Sequence, residues 1–143
     1  MPKPRSGFAS CVKKDEGKIF FCGGNSGSVL RKFDCLDLKK GKWSRLPDMI
    51  QKRDELAVTL GPDGMVYAIG GYGGGSQGTS GESSSGSSNC LQTAERFNFS
   101  TQEWEMLPPM TEARRALAAV SLPDGIYAIG GYDGKQYLST VEK

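Results

Sequence analysis

Side chains that do chemistry are scarce in this sequence. There is no histidine among its 143 residues, so no imidazole is present to hold copper or iron or to serve in a Ser/His/Asp set. Cys11, Cys22, Cys35 and Cys90 form no CxxC pair, which argues against zinc. No two carboxylates stand at a spacing useful for paired acid–base work. Asn98-Phe99-Ser100 fits a glycosylation sequon, but it reads better as a turn. What remains is recognition chemistry. Arginine and tyrosine are the residue types that anchor protein interfaces.

The positions of these residues repeat. Residues 65–72 read MVYAIGGY and residues 125–132 read GIYAIGGY, with a weaker copy, KIFFCGGN, at 18–25. Each copy is an apolar, β-branched and aromatic run that ends at two glycines, the pattern of a mostly buried strand. The glycines supply a positive φ or a close backbone approach. An arginine opens the apolar stretch before each copy (Arg5, Arg53, Arg114), four residues after Met1, Met49 and Met110. Asp34 precedes Trp43 by nine residues and Glu95 precedes Trp104 by nine, with Glu142 at the matching place in the third copy. The acids are expected to pair with the arginines. Arg5 to Arg53 is 48 residues and Arg53 to Arg114 is 61, so the second copy carries an insertion of about 13.

Four strands per unit carry these landmarks. In the first unit they are expected at 8–12, 19–22, 31–36 and 42–46. In the second they fall at 56–60, 65–69, 92–97 and 103–107. The third has 117–122, 126–129 and a strand starting near Leu138. Gly61-Pro62-Asp63-Gly64 is a strong turn signal. The Gly/Ser tract 73–89 cannot bury apolar area and is expected to be disordered. It reads as an insertion tolerated at a loop tip, ahead of a recognition or phosphorylation loop.

A four-stranded unit near fifty residues is the period of one β-propeller blade. Through Gly23-Gly24, Gly70-Gly71 and Gly130-Gly131, the aromatic residues Tyr67 and Tyr127, and Trp43 and Trp104, the sequence resembles the kelch-repeat family over essentially its whole length. The expected fold is all-β: blade one at 1–52, blade two at 53–113 and a partial blade three at 114–143. Tyr67, Tyr127, Phe20, Trp43 and Trp104 should fill the wedges between blades, with their OH or NH groups on backbone partners. Two full blades and most of a third leave the ring incomplete, since propellers have about 4–8 blades. The chain is then an excerpt of a longer protein, or copies associate; two chains would supply nearly six blades. Met1-x-x-x-Arg5 aligns with the blade junctions, which favours the excerpt.

The resemblance implies a module that binds a protein or peptide through its b–c and d–a loops (25–32, 72–91 and 133–137; 48–53 and 110–115). Arg5-Ser6-Gly7 is similar to a tripeptide of ubiquitin-ligase kelch adaptors, where the arginine and serine contact an acidic peptide. All three copies share Arg5, Arg53 and Arg114, which suits a role in the fold. Arg53, Arg114, Arg115, Tyr72 and Tyr132 are the other exposed candidates that the resemblance implies, and Arg31 and Arg115, being unshared, suit partner contact. The family also includes oxidases, epimerases and cytoskeletal binders, so an enzyme with its active site in missing blades is the alternative, beside an actin binder. The residues themselves imply no enzyme, no cofactor and no metal.

A net charge of +2, with basic residues scattered among acidic ones, does not suggest nucleic acid. No apolar run approaches the roughly 18–20 residues of a membrane span, and no signal peptide is visible. Cys11 and Cys22 lie inside predicted strands as small hydrophobes, so a reduced, cytoplasmic setting is expected.

Overall fold

The computed structural model describes residues 1–75 and 89–143. Among them every regular element is a strand. β1 (Ala9–Lys13), β2 (Lys18–Cys22), β3 (Phe33–Asp37) and β4 (Lys42–Leu46) form an antiparallel meander in that order. β5 (Ala57–Leu60), β6 (Val66–Ile69), β7 (Ala94–Asn98) and β8 (Glu103–Met106) repeat it. β9 (Ala118–Leu122), β10 (Gly125–Ile129) and the short β11 (Val141–Glu142) form a third, three-stranded sheet. These are three propeller blades, and they do not close a ring. β11 starts three residues later than the strand expected from Leu138, because Leu138 is spent on a loop bond to the Gly131 carbonyl (2.8 Å).

Local chemistry explains the turns. Asp37 Oδ1 accepts the Lys39 and Lys40 amides between β3 and β4, and Asn98 Oδ1 accepts those of Ser100 and Thr101 between β7 and β8. These Asx turns are what short acceptor side chains favour. The Gly61–Gly64 turn closes through Gly64 N to Gly61 O at 2.9 Å. At the ends of the Gly/Ser tract, Gly73 N donates to Asn89 O at 2.9 Å. Disorder was expected over 73–89; residues 73–75 and 89 are instead placed, with Gly73, Gly74 and Asn89 hydrogen-bonded, and 76–88 lie outside the described residues.

Strand side chains alternate, so each blade offers one face to the blade before it and one to the blade after. The cores lie in these seams. In the first seam Cys11, Phe20, Cys22, Phe33 and Cys35 meet Met49, Leu56, Val66, Ala68, Phe97 and Trp104. In the second, Ile69, Ala94 and Tyr67 meet Ala128, Ile126, Leu117 and Met110. Trp104 stacks edge-on to Phe33 at 5.0 Å and donates its indole N–H to the Pro47 carbonyl of the preceding blade at 2.9 Å. Trp43 packs on Phe21 of its own sheet and stays half-buried, since no blade precedes it here. The tyrosine hydroxyls find carboxylates rather than the expected backbone groups: Tyr67 on Asp63 (2.6 Å) and Tyr127 on Asp124 (2.7 Å). Both acids sit in the turn just before the strand, where a short side chain reaches the ring oxygen sooner than any carbonyl.

The diglycines take part in the same seams. A Cβ on Gly23 would lie 2.2 Å from the Arg53 carbonyl of the next blade, and one on Gly70 would lie 2.4 Å from that of Arg114. Backbone bonds then stitch each seam alike. Gly24 N reaches Arg53 O (2.8 Å), Arg53 N reaches Leu30 O (2.9 Å) and Glu55 N reaches Gly7 O (2.9 Å). In the second seam Gly71 N reaches Arg114 O (2.7 Å), Arg114 N reaches Leu91 O (3.0 Å) and Ala116 N reaches Glu55 O (2.8 Å).

Candidate functional site

The loop face is built on buried arginines. Arg53 is fully buried: Nε and Nη2 donate to Glu95, Nη1 to the Gly70 and Thr93 carbonyls, and Nη2 also to Gln51 and the Thr93 hydroxyl. Glu95 also accepts the Ile50 and Gln51 amides, so the d–a loop is tied to the next strand c. Arg114 repeats the set with Glu142, Gly130, Thr140 and Glu112. Burial lowers the pKa of Arg53 and the charge of Glu95 opposes that shift. Both arginines were counted above among the exposed candidates; at 0 % exposure they are scaffold. Their burial follows from desolvated pairs that need every donor satisfied.

Arg5 reaches Asp34 at 2.8 Å and its side chain is 4 % exposed. Its Nε and Nη2 are nevertheless not aligned for a hydrogen bond with any described residue. The first repeat explains this. Lys32 stands where the others have Thr93 and Thr140, Lys3 where they have Gln51 and Glu112, and Asp34 is one methylene shorter than Glu95.

The residue after each arginine forms an antiparallel bridge with the residue after each diglycine: Ser6 with Asn25, Asp54 with Tyr72, Arg115 with Tyr132. The three blades thereby set these pairs side by side on one rim. Asn25 Nδ2 donates to Asp54 at 3.3 Å across the first seam. The Arg115 guanidinium lies 5.2 Å from the Tyr132 ring and 5.8 Å from the Tyr72 ring, and 3.5 Å from Glu55. Tyr132 stacks on Tyr137 at 5.2 Å, and Tyr137 is 88 % exposed. A cleft of about 410 Å³ lined by Asn25, Val29, Lys52 and Tyr72 adjoins the rim. Tyr72, Arg115 and Tyr132 are thus brought together, with Ser6 at the matching place in blade one. Arg31 is not among them; it faces Asp48 at 3.6 Å, which Arg45 also reaches.

Asp54, Glu55 and Tyr137 belong to this surface and were not singled out from the sequence. The signal for the first two was the alignment of Arg5-Ser6-Gly7 with Arg53-Asp54-Glu55 and Arg114-Arg115-Ala116. Gly7 has φ +62°, and Glu55 and Ala116 hold the same left-handed conformation at +51°. A side chain there costs about 1 kcal/mol.

A kelch-motif model matches residues 4–50, 57–111 and 113–143. The chain belongs to the kelch-repeat family. It is 28 % identical over 140 residues to Kelch domain-containing protein 8B of Mus musculus, an alignment covering 89 % of this chain and 36 % of that protein. The human protein of that name gives the same identity and coverage. An F-box/kelch-repeat protein of Arabidopsis thaliana is 32 % identical over 114 residues, 78 % of this chain and 28 % of the relative. The chain therefore spans about a third of the length of these kelch relatives. Among the described residues no three His, Cys, Asp or Glu side chains gather as a metal site, and no helix is long and apolar enough to cross a membrane.

Proposed function

We propose that this kelch segment is a non-enzymatic protein-interaction module that holds a protein or peptide on the rim of Ser6, Tyr72, Arg115 and Tyr132, with Arg5 beneath it and Arg31 at its margin. The observation that carries the reading is the Arg115–Tyr72–Tyr132 cluster. It has two half-buried rings, with the exposed Tyr137 stacked on one of them, beside a cation that is 36 % exposed, on loops tied down by buried arginines. Rigid aromatic and arginine anchors are what interfaces use, and a positioned loop face loses little entropy on binding.

The finer assignment is a substrate receptor of a ubiquitin-ligase adaptor, working in the cytoplasm. It rests on the Arg5-Ser6-Gly7 resemblance. The test is affinity capture with the full-length protein in wild-type and Tyr72→Ala/Arg115→Ala/Tyr132→Ala forms. A partner recovered by the first and lost by the second, with unchanged circular dichroism, supports the reading. A partner retained by both overturns the rim as its site. A ligase subunit in the same capture supports the adaptor role, and its absence from a capture that holds a partner removes that role.

A further inference from the structure

The same three positions face each buried arginine, and they carry different charges. Arg53 donates to Gln51, Thr93 and Glu95, so one cation meets one carboxylate among neutral acceptors. Arg114 donates to Glu112, Thr140 and Glu142, and that set is one charge negative. At Arg5 the matching residues are Lys3, Lys32 and Asp34. Three cations then share a single carboxylate, and the set is two charges positive. An ammonium group donates and cannot accept, so neither lysine serves Arg5. The Arg5 side chain is 4 % exposed, yet its Nε and Nη2 have no aligned acceptor among the described residues. Donors this deeply buried are nearly always satisfied. Every side chain that bonds Arg53 or Arg114 has its counterpart within residues 3–34, so the difference at Arg5 is written in residues this sequence contains. A cleft of about 300 Å³ reaches Arg5. Lys3, Ser26, Lys32 and Arg45 line it, and Asp34 is the one acid on its wall. Arg45 is already paired with Asp48.

We propose that Arg5, Lys3 and Lys32 form an oxyanion site in blade one, and that its ligand is a phosphate group. A phosphate monoester carries about −1.5 to −2 charges at neutral pH, which matches the excess at Arg5. A carboxylate would supply only part of it. Nε and Nη2 share one edge of the guanidinium, the fork that holds two oxygens of a phosphate. At Arg53 the same edge grips Glu95. Asp34 is one methylene too short to close it, and a phosphate oxygen completes the pairing. Lys3 and Lys32 add point charges to the remaining oxygens. The site stands one residue from Ser6 and does not depend on the rim holding a partner. The group arrives as free phosphate or on a phosphorylated side chain of a peptide, and its chemistry at the three cations is the same.

Isothermal titration of the full-length protein at low ionic strength tests this with inorganic phosphate, acetate, a short phosphoserine peptide and its unphosphorylated form. The two phosphate-bearing probes should bind and the other two should not. A phosphopeptide tighter than inorganic phosphate places the group on a phosphorylated partner; one that is no tighter assigns the site to the free ion. Lys3→Gln/Lys32→Thr installs the residues that satisfy Arg53, so far-UV circular dichroism should be unchanged. Its phosphate affinity should fall about tenfold or more, the worth of a charged hydrogen bond. Lys3→Gln alone, at an exposed position, should give a smaller loss and guards against misfolding of the double variant. Tyr72→Ala/Arg115→Ala/Tyr132→Ala should bind phosphate as the wild type does, which separates this site from the rim. Phosphate that fails to bind, acetate that binds equally, lysine variants that keep wild-type affinity, or a rim variant that loses phosphate would each overturn the proposal.

Discussion

The seam between blades one and two is filled by rings; the seam between blades two and three, whose places for Phe97, Phe99 and Trp104 fall past residue 143, is lined mostly by aliphatic side chains around a cleft. In the first, Phe33 lies 4.9 Å from Phe97 and 5.0 Å from Trp104, and Phe20 lies 5.1 Å from Phe99. In the second, Ala94 stands where Phe33 stands, and a cleft of about 460 Å³ opens between Ile69, Ala94, Pro108, Ile126 and Ala128. The backbone bonds of the two seams are nevertheless the same. Geometry is thus set by the main chain and the buried arginines, whereas the strength of each seam depends on the volume of its side chains. Dispersion and apolar burial scale with contact area, so the first seam should carry most of the stability.

Removing its central ring should have the largest effect. Trp104→Ala is expected to cost about 3–5 kcal/mol, read as a lower urea midpoint, since the indole also gives up its bond to Pro47. A loss under about 1 kcal/mol would show that the rings are replaceable. Next come the arginines. Arg53→Leu strands a Glu95 side chain that is 0 % exposed, and about 3–5 kcal/mol is expected. Arg114→Leu should cost clearly less, because Glu142 is 17 % exposed and water can take over. Equal losses would mean the seams do not differ in hydration.

The thin seam should be improvable. Ile126→Phe directs a ring into the cleft, and a gain of about 0.5–2 kcal/mol is expected in the same unfolding assay. The acid limit gives the smallest effect. Burial raises the pKa of Glu142, but hydrogen bonds from Thr111, Arg114 and the Glu112 amide outweigh it and leave the pKa below its ordinary 4.5. A carboxylate with a lowered folded-state pKa adds stability above its unfolded value and loses it as pH falls through the folded one. The stability difference between wild type and Glu142→Gln should therefore be full at neutral pH and shrink below pH 4.5. A difference that stays constant with pH would remove the charge from this account.

Much of this was legible from spacing. The arginine–acid pairs, the diglycines and the Trp positions were fixed by their recurrence, since a repeated residue reports a repeated contact. Strand ends agreed to within a residue or two except at β11, where nothing in the sequence distinguishes a loop bond from a strand bond. The fate of the tyrosine hydroxyls was not readable either: Asp63 and Asp124 look like turn residues and are also acceptors. At the rim, recurrence worked against the reading. Asp54 and Glu55 differ in type from their counterparts in the other copies, so only their alignment with Ser6-Gly7 and Arg115-Ala116 marked them, and the bridge geometry places Asp54 beside Tyr72.

Cys11, Cys22 and Cys35 are buried in the ring-filled seam, and loss of solvation raises all three thiols, Cys11 to about 12. Thiolate is the form that alkylating reagents capture, so these sulfurs should stay silent while blades one and two remain together. Their labelling rate consequently serves as a clock for the parting of those blades, timed by residues the protein already carries.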